Sequence, residues 1–309
     1  MVVSCALAIV APFHTFLLAY AILGPLHYLT EISWLHDRDY FAPRRWTIVA
    51  GVAMAVLLYG FAMKTSPVYE IGFVWFAFAT AAIAVFVRSS VNVIALSVVA
   101  GAAIAFSSST RSYAIAAYLL VTIVHVFVFT AIFILFGAIK SHSRTALLSL
   151  AVMIGCAVVC FVPLPALIAP GARIRDLYGN FEQLNQLLGA RDVYASYAGL
   201  AIMRVIAFAY LYHYLNWFSK TSVIRWHEVS RVRASAIVAL WLGGVAVYAY
   251  DYRIGFAVFY AGSMAHVLLE FPLNFRSFAG VLAGARGALS RGATRPSTRR
   301  RSTARPAGA

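Results

Sequence analysis

The chain has 309 residues, of which 62% are hydrophobic and only 11% are charged, and its formal net charge is +15. A soluble domain contains about 25% charged residues, so this composition excludes an ordinary soluble globular protein. Apolar runs of about 18 to 26 residues recur along the chain and are long enough to cross a bilayer as helices. A β-barrel would need alternating segments of about ten residues, which are absent. The sequence therefore predicts an all-α, polytopic transmembrane helical bundle with the lipid bilayer as its solvent.

Nine apolar segments predict about nine spans. They cover residues 5–29, 46–63, 68–87, 91–108, 112–138, 145–168, 193–218, 234–250 and 254–272. The loops on one side of these spans, together with the C-terminal tail, hold 18 Lys and Arg residues, against six on the other side. Because cytoplasmic segments carry the excess of basic residues, the N-terminus is predicted outside and the C-terminus in the cytoplasm. We expect such a protein in a bacterial-type inner (plasma) membrane.

The chain divides into a transmembrane helical domain, residues 1–275, and a basic tail, residues 276–309. The tail is rich in Arg, Ser, Pro, Gly and Ala, which predicts disorder. Its charge favours contact with anionic lipid head groups on the cytoplasmic side, and no nucleic-acid partner is expected. Between the sixth and seventh spans, residues 171–192 alternate polar and apolar side chains at helical spacing. This pattern predicts an amphipathic helix on the outer surface.

Two histidine–glutamate pairs lie where membrane spans should contain neither residue type. His27 precedes Glu31 by four residues near the end of the first span, and His266 precedes Glu270 in the same way in the last span. Residues four apart share one face of a helix. Ionisable groups inside a membrane are rare and usually functional, so both pairs are candidate site residues.

Four further histidines extend this candidate set. His125 and His213 lie in two other spans and, like His27 and His266, at a predicted depth near the midplane or in the cytoplasmic half. His36 can join only if the first helix breaks after about residue 33. His227 follows the polar break at 219–222 and can join by folding back. We therefore predict one site that opens towards the cytoplasm.

Arg204 and Pro272 each lead to a separate prediction. Arg204 lies well inside the seventh span and should need an acidic or carbonyl partner, although no carboxylate is predicted at its level. Pro272 lacks a backbone N–H, so it is predicted to end the last helix soon after Glu270.

Neutral imidazole and carboxylate together are a suitable ligand set for non-haem iron, and an open coordination position suits oxygen activation. Four spans that supply histidine would form a mononuclear or dinuclear iron site. Glu31 and Glu270 would ligate the metal and take part in catalysis, or would orient the histidines through their second ring nitrogens.

Other functions use the same groups. A transporter or channel would use them as a proton or metal relay, but the predicted polar groups stop on one side of the membrane. A haem-binding electron carrier would place haem between two histidines, for example His125 with His213 or His266, which leaves both glutamates unexplained. A structural or assembly factor is the remaining alternative.

The pattern of intramembrane histidines with nearby carboxylates resembles histidine-rich integral-membrane non-haem iron oxygenases. The fatty-acid desaturases and hydroxylases of that class are similar in presenting histidines to the cytoplasm, although this chain has neither an HxxxH nor an HxxHH box. The bacterial carotene-cleaving oxygenases of the Brp/Blh type are closer in size, and the segment from Pro25 to Glu31 resembles their early Pro-His segment. In this chain Leu26 separates the proline from the histidine. The resemblance implies iron, dioxygen, an electron donor and an apolar lipid-like, fatty acyl or isoprenoid substrate.

Overall fold

The structure is a computed structural model that describes residues 1–37, 67–107, 115–117, 119–188, 192–221, 225 and 228–293. Within these residues all regular secondary structure is helical. The predicted second span, residues 46–63, lies outside the described residues. The all-α class predicted from composition is confirmed for the part of the chain that the structure describes.

Twelve α-helices are described, and two of them continue directly from π-helical segments. Their bounds are α1 Val2–Val10, α2 Pro12–Leu18, α3 Gly24–Asp37, α4 Pro67–Phe86, α5 Ser90–Ser107, α6 Thr130–Ser141, α7 Arg144–Val159, α8 Ala172–Tyr178, α9 Glu182–Leu187, α10 Tyr197–Ser219, α11 Arg231–Tyr250 and α12 Tyr252–Ala293. The π-helical segments are Ala19–Leu23, which joins α2 to α3, and Leu120–Phe129, which leads into α6.

The first predicted span differs from the structure at both ends. Ala11 is extended, with φ −144°, so α1 ends there and α2 starts at Pro12, whose missing N–H is tolerated in a first turn. The helix then continues to Asp37, eight residues beyond the predicted end at residue 29. Thr30, Glu31, Trp34 and Leu35 are buried in this extension. Packing against other helices therefore stabilises helical structure beyond the end of the apolar run.

Two predictions about the last helix are wrong. The helix does not end after Glu270 but passes through Pro272 and continues to Ala293. Phe271, Leu273 and Asn274 are all buried, and this packing outweighs the one backbone hydrogen bond that the proline removes. Residues 276–293, predicted as part of a disordered tail, are consequently helical. The remainder of the tail lies outside the described residues.

The region before α10 also departs from expectation. The predicted sixth span, 145–168, is helical only to Val159, and 163–166 have no regular structure. The predicted amphipathic helix is two short helices, α8 and α9, separated by a 3-10 turn at Gly179–Phe181. Arg204 of α10 donates hydrogen bonds to the carbonyls of Val162 (3.1 Å) and Leu164 (2.5 Å). Its partners are therefore carbonyl groups of the segment that follows α7.

Within the part of the chain that the structure describes, five helical stretches are long and apolar enough to cross a membrane. They are Pro12–Asp37, Ile115–Ser141, Tyr197–Ser219, Arg231–Tyr250 and Tyr252–Arg286. Large apolar side chains face outwards on several helices, including Val91, Val98 and Val99 of α5 and Leu240 of α11. Hydrocarbon covers such surfaces without cost, so the chain has the character of a membrane protein.

The candidate site lies where four of these stretches meet. Helix α12 packs against α3, α4, α6 and α11, while α10 packs against α2 and the π-helical segment Leu120–Phe129. This arrangement brings residues of the first, middle and last parts of the chain to one place in the interior.

Candidate metal centre

Four histidines from four separate helical segments meet in the interior. His27 comes from α3, His125 from the second π-helical segment, His213 from α10 and His266 from α12. All four are buried, and His27 is completely inaccessible to solvent. Their ring centroids are 4.6 Å apart for His27 and His213, 5.2 Å for His125 and His266, and 5.4 Å for His125 and His213. The imidazoles thus form one contiguous cluster.

Ring nitrogens face each other within this cluster. The Nε2 atoms of His27 and His213 are 2.9 Å apart, and those of His125 and His266 are 3.3 Å apart. Two neutral imidazoles at such distances either share one proton or direct both lone pairs at a common cation. The second arrangement is the one that metal sites use.

The two glutamates approach the cluster in different ways. Glu31 Oε2 lies 3.1 Å from Nε2 of His27, the nitrogen that also faces His213. Glu270 Oε2 lies 3.1 Å from Nδ1 of His125, on another helix, although the sequence placed Glu270 beside His266. Glu31 therefore points at the centre of the cluster, whereas Glu270 contacts the outer nitrogen of one imidazole.

The donor set fits a bound first-row metal ion. Ligand atoms that are each about 2.1 Å from a metal lie about 3 Å apart when their bonds are perpendicular. The distances of 2.9 and 3.1 Å around His27 Nε2 match this value. His27, Glu31 and His266 each offer a ligand atom, and the three atoms lie within 4.8 Å of one another. Among the described residues, Glu31 Oε2 has no partner of proper hydrogen-bond geometry, so this buried oxygen is available to a cation.

Both π-helical segments of the described chain lie beside this cluster. One contains His125, and the other, Ala19–Leu23, ends four residues before His27. The Gly24 N–H bonds the carbonyl of Ala19, five residues earlier, immediately before Pro25. Inserting a residue into a helix rotates everything that follows by about 100°, and such bulges are common at functional sites. Here they set the rotation of the segments that present His27 and His125.

Thr130 determines which nitrogen of His213 faces the other histidines. Its hydroxyl donates to the carbonyl of Val126 at 2.8 Å and lies 3.0 Å from His213 Nδ1. A hydroxyl has one hydrogen, so when it is donated to the Val126 carbonyl the Thr130 oxygen accepts from His213 Nδ1–H. The Nε2 atom of His213 therefore carries a lone pair towards His27, as a metal ligand requires.

Aromatic side chains enclose the cluster. The Tyr28 ring stacks on His266 at 5.9 Å, and the Tyr214 ring lies 5.0 Å from His27. A Cβ at Gly262, one turn before His266, would lie 3.0 Å from the Tyr28 ring, so the glycine permits this close approach. These rings limit the access of bulk water to the imidazoles.

The Trp217 ring of α10 also packs against the His27 imidazole, with 5.5 Å between ring centroids. Its indole N–H donates to the Thr30 hydroxyl at 3.1 Å, and that hydroxyl donates in turn to the carbonyl of Leu26 at 2.7 Å. These bonds tie α10 to the turn of α3 that carries His27. They hold that imidazole in position relative to His213.

Lys220 follows α10 directly and brings a cation close to the site. Its ammonium group lies 5.8 Å from the centroid of the Phe133 ring. Burial lowers the pKa of Lys220, and the nearby carboxylates of Glu270 and Glu31 oppose that shift. The Lys220 side chain therefore interacts electrostatically with the same two carboxylates that flank the histidines.

Two predicted members of the site do not lie in the cluster that the structure describes. His36 is exposed near the end of α3, because the helix continues unbroken past Ser33. His227 lies outside the described residues. Thr130, Trp217 and Lys220 were not predicted. A hydroxyl in the middle of an otherwise apolar span was the one sequence signal for Thr130, and serine and threonine occur in spans for many reasons.

Comparisons with known proteins identify no relative of this chain: no family model, no curated protein and no solved structure matches it. The functional inference therefore depends on the geometry of the cluster.

Proposed function

We propose that the chain is a membrane-embedded non-haem iron oxidoreductase, an oxygenase, desaturase or hydroxylase, acting on an apolar lipid, fatty acyl or isoprenoid substrate. The observation that carries this proposal is the meeting of four buried histidines and two buried glutamates from four helical segments. So many ionisable groups in a membrane interior are costly unless they serve a function. A bound cation would accept the lone pairs of the Nε2 atoms that face each other in the two histidine pairs.

His27, His213, His125 and His266 would hold the metal, together with Glu31. Bound iron would supply the redox chemistry with dioxygen that imidazole and carboxylate side chains lack. The chain itself would orient the ligands: the Thr130 hydroxyl lies beside Nδ1 of His213, where it would fix the tautomer, and Glu270 contacts the outer nitrogen of His125. The surrounding rings of tyrosine and tryptophan keep water from the site and offer an apolar surface to a lipid-like substrate.

The proposal includes the membrane topology predicted from the sequence. With nine spans and a cytoplasmic C-terminus, the ends of α3 and α10 near the site face the cytoplasm, where a soluble electron donor is available. The basic residues beyond Arg276 would then contact anionic lipid head groups of the same leaflet.

A haem between two of the histidines fits the geometry less well. The imidazoles of His27, His125, His213 and His266 pack ring against ring, with centroids 4.6 to 5.4 Å apart. This packing leaves no gap of a porphyrin's width between them. It also places Glu31 among the nitrogens, where a haem would have no use for a carboxylate.

Metal analysis and a visible spectrum of detergent-purified protein test the proposal. We expect about one or two irons per chain and no Soret band. A His27→Ala/His266→Ala double variant should lose the metal, whereas a His14→Ala/His36→Ala double variant, matched in number but outside the cluster, should retain it. Metal-free wild-type protein, prepared under conditions that retain iron, would contradict the proposal. Oxygen consumption with fatty acyl and isoprenoid lipids then identifies the substrate.

A further inference from the structure

A row of buried polar side chains continues along α12 beyond His266. Glu270, Asn274 and Ser277 follow it at intervals of four, four and three residues, which keeps them on one face of the helix. None of the three is more than 4% exposed. Burial of an amide and a hydroxyl next to a carboxylate costs free energy that an apolar helix face would avoid. The row therefore has a use beyond packing.

Asn274 is the central residue of this row. Its amide lies beside the Glu270 carboxylate, but among the described residues neither Oδ1 nor Nδ2 completes a hydrogen bond of proper geometry. Leaving a buried donor and acceptor unsatisfied costs about 1–3 kcal/mol each. A polar group of this kind in a membrane interior is typical of a path that carries water or ions.

The row is longer towards the end of α12 than towards its start. Towards the start of α12, His266 is covered by the Tyr28 ring, which rests on Gly262. In the opposite direction Glu270, Asn274 and Ser277 succeed one another towards the end of the helix. Lys220, which directly follows α10, contributes a positive charge near Glu270. Three buried polar side chains therefore follow His266 on this side of the helix.

We propose that Asn274 and Ser277 line the route by which an aqueous divalent metal ion reaches Glu270 and the histidine cluster. The amide oxygen, the hydroxyl and the carboxylate are hard ligands that replace, one after another, the waters that the ion gives up. This inference rests on the proposed function, because it requires that the cluster bind a metal. It assigns to Asn274 and Ser277 a role in metal access that is separate from holding the bound ion.

The kinetics of metal exchange distinguish a route from a ligand. A residue on the route changes the barrier, so its replacement slows association and dissociation by the same factor and leaves the dissociation constant unchanged. A residue that only orients Glu270 changes the dissociation constant, chiefly through faster dissociation. Asn274→Leu keeps the shape of the side chain but removes its oxygen ligand, and Asn274→Asp restores an oxygen.

The experiment uses Co²⁺ as the probe on metal-free, full-length protein in detergent, with association followed by stopped-flow absorbance and dissociation driven by excess chelator. We expect Asn274→Leu to slow both rates by roughly tenfold or more, since each lost oxygen contact on the route adds to the barrier. Asn274→Asp should restore them, and Ser277→Ala should slow both to a smaller extent. Ser263→Ala is the matched control, because it makes the same change on α12 on the other side of His266, and its rates should equal the wild-type rates.

Equal rates in wild type, Asn274→Leu and Ser277→Ala would overturn the inference, as would faster dissociation with unchanged association. If Asn274→Leu does not fold, the comparison of Ser277→Ala with Ser263→Ala decides. The equilibrium stoichiometry of wild type separates the two proposals. Wild-type protein that binds no Co²⁺ overturns the proposed function and the inference with it, whereas normal stoichiometry with unaltered rates in the variants overturns the inference alone.

Discussion

Glu270 contacts His125 on another helical segment, and the contact is made to the outer nitrogen of that imidazole. The 3.1 Å distance joins Glu270 Oε2 to His125 Nδ1, while Nε2 of the same ring faces His266. Among the described residues neither Glu270 Oε2 nor His125 Nδ1 completes a hydrogen bond of proper geometry. If Nδ1–H turned towards the carboxylate, the contact would orient the ring and leave the inner nitrogen for a metal. Glu31, in contrast, approaches the inner nitrogen of His27. The two His-x-x-x-Glu pairs, identical in spacing, thus differ in which histidine nitrogen the glutamate approaches.

This difference predicts different effects of the same substitution. Glu270→Gln should weaken metal affinity by about 10–100-fold but retain the stoichiometry, because it removes only an orienting partner. Glu31→Gln removes a charged ligand and should lower the metal content of purified protein itself. Competition with a chelator of known affinity measures the first effect and elemental analysis the second. Equal loss of bound metal in both variants would contradict the assignment.

The hydroxyl of Thr130 should matter through His213. Thr130→Val keeps the shape of the side chain but removes the acceptor for His213 Nδ1–H, so the imidazole no longer has a fixed tautomer. We expect metal affinity to fall by about 10–100-fold, as for other partners of ligating histidines. Thr80→Val, a buried threonine on α4, is the matched control and should leave the affinity unchanged. Chelator competition on both variants provides the comparison.

Removal of one histidine should separate metal binding from folding. His125→Leu replaces a buried polar group by an apolar one, so the metal-free variant should unfold at the same temperature as metal-free wild type or higher. Added metal should stabilise wild type by about 2.7 kcal/mol at 100 times its dissociation constant, but not the variant.

Thermal unfolding in detergent, with and without metal, measures both effects. Leu268→Ala serves as the control, since Leu268 is fully buried in the same helix as His266. It should destabilise both forms by about 2–5 kcal/mol. A large loss of stability in metal-free His125→Leu would indicate that the histidine cluster is structural.

The charge of Lys220 should oppose a bound cation. Lys220→Met removes a positive charge near Glu31 and Glu270, so the affinity for a divalent ion should rise by roughly tenfold. Burial lowers the pKa of Lys220, which means that the wild-type side chain loses its charge at a lower pH than a free lysine. The affinity of wild type should therefore approach that of the variant as pH rises through this pKa. Titrations at several pH values test the trend.

Lys140→Met provides the control for Lys220, because Lys140 is exposed at the end of α6 and its replacement leaves the site's charge unaltered. A pH trend that is the same in wild type and Lys220→Met would show that other groups cause it. An affinity that falls in Lys220→Met would show that the lysine stabilises the occupied site.

Arg204 should contribute to stability without affecting the metal. Arg204→Met leaves the carbonyls of Val162 and Leu164 without their charged donor, and we expect a loss of about 2–4 kcal/mol. Metal stoichiometry should be unchanged, because the arginine makes no contact with the histidines among its described hydrogen bonds. Thermal unfolding and elemental analysis check the two expectations. Arg253→Met, an exposed position, is the control and should cost less than 1 kcal/mol.

The sequence by itself determined the helical class, the positions of most described helices and the candidate histidines. Apolar length decides whether a segment suits a bilayer, so helices such as Pro67–Phe86 and Ser90–Ser107 lie within two residues of their predicted bounds. Helical periodicity likewise placed Glu31 on the face of His27, and the two side chains are 3.1 Å apart. These features depend on local spacing and on the cost of polar groups in lipid.

Only the tertiary structure decided which atoms face one another. Glu270 lies four residues from His266 yet contacts His125, 145 positions away in the chain, and Thr130 contacts His213, 83 positions away. Helix rotation, the two π-helical segments and the packing of α12 against its neighbours set these contacts, and no local period encodes them. Pro272 was misjudged for the same reason: the burial of its neighbours outweighs its own preference to end a helix. The ligand types could thus be found in the sequence, but their geometry depends on how the helices pack.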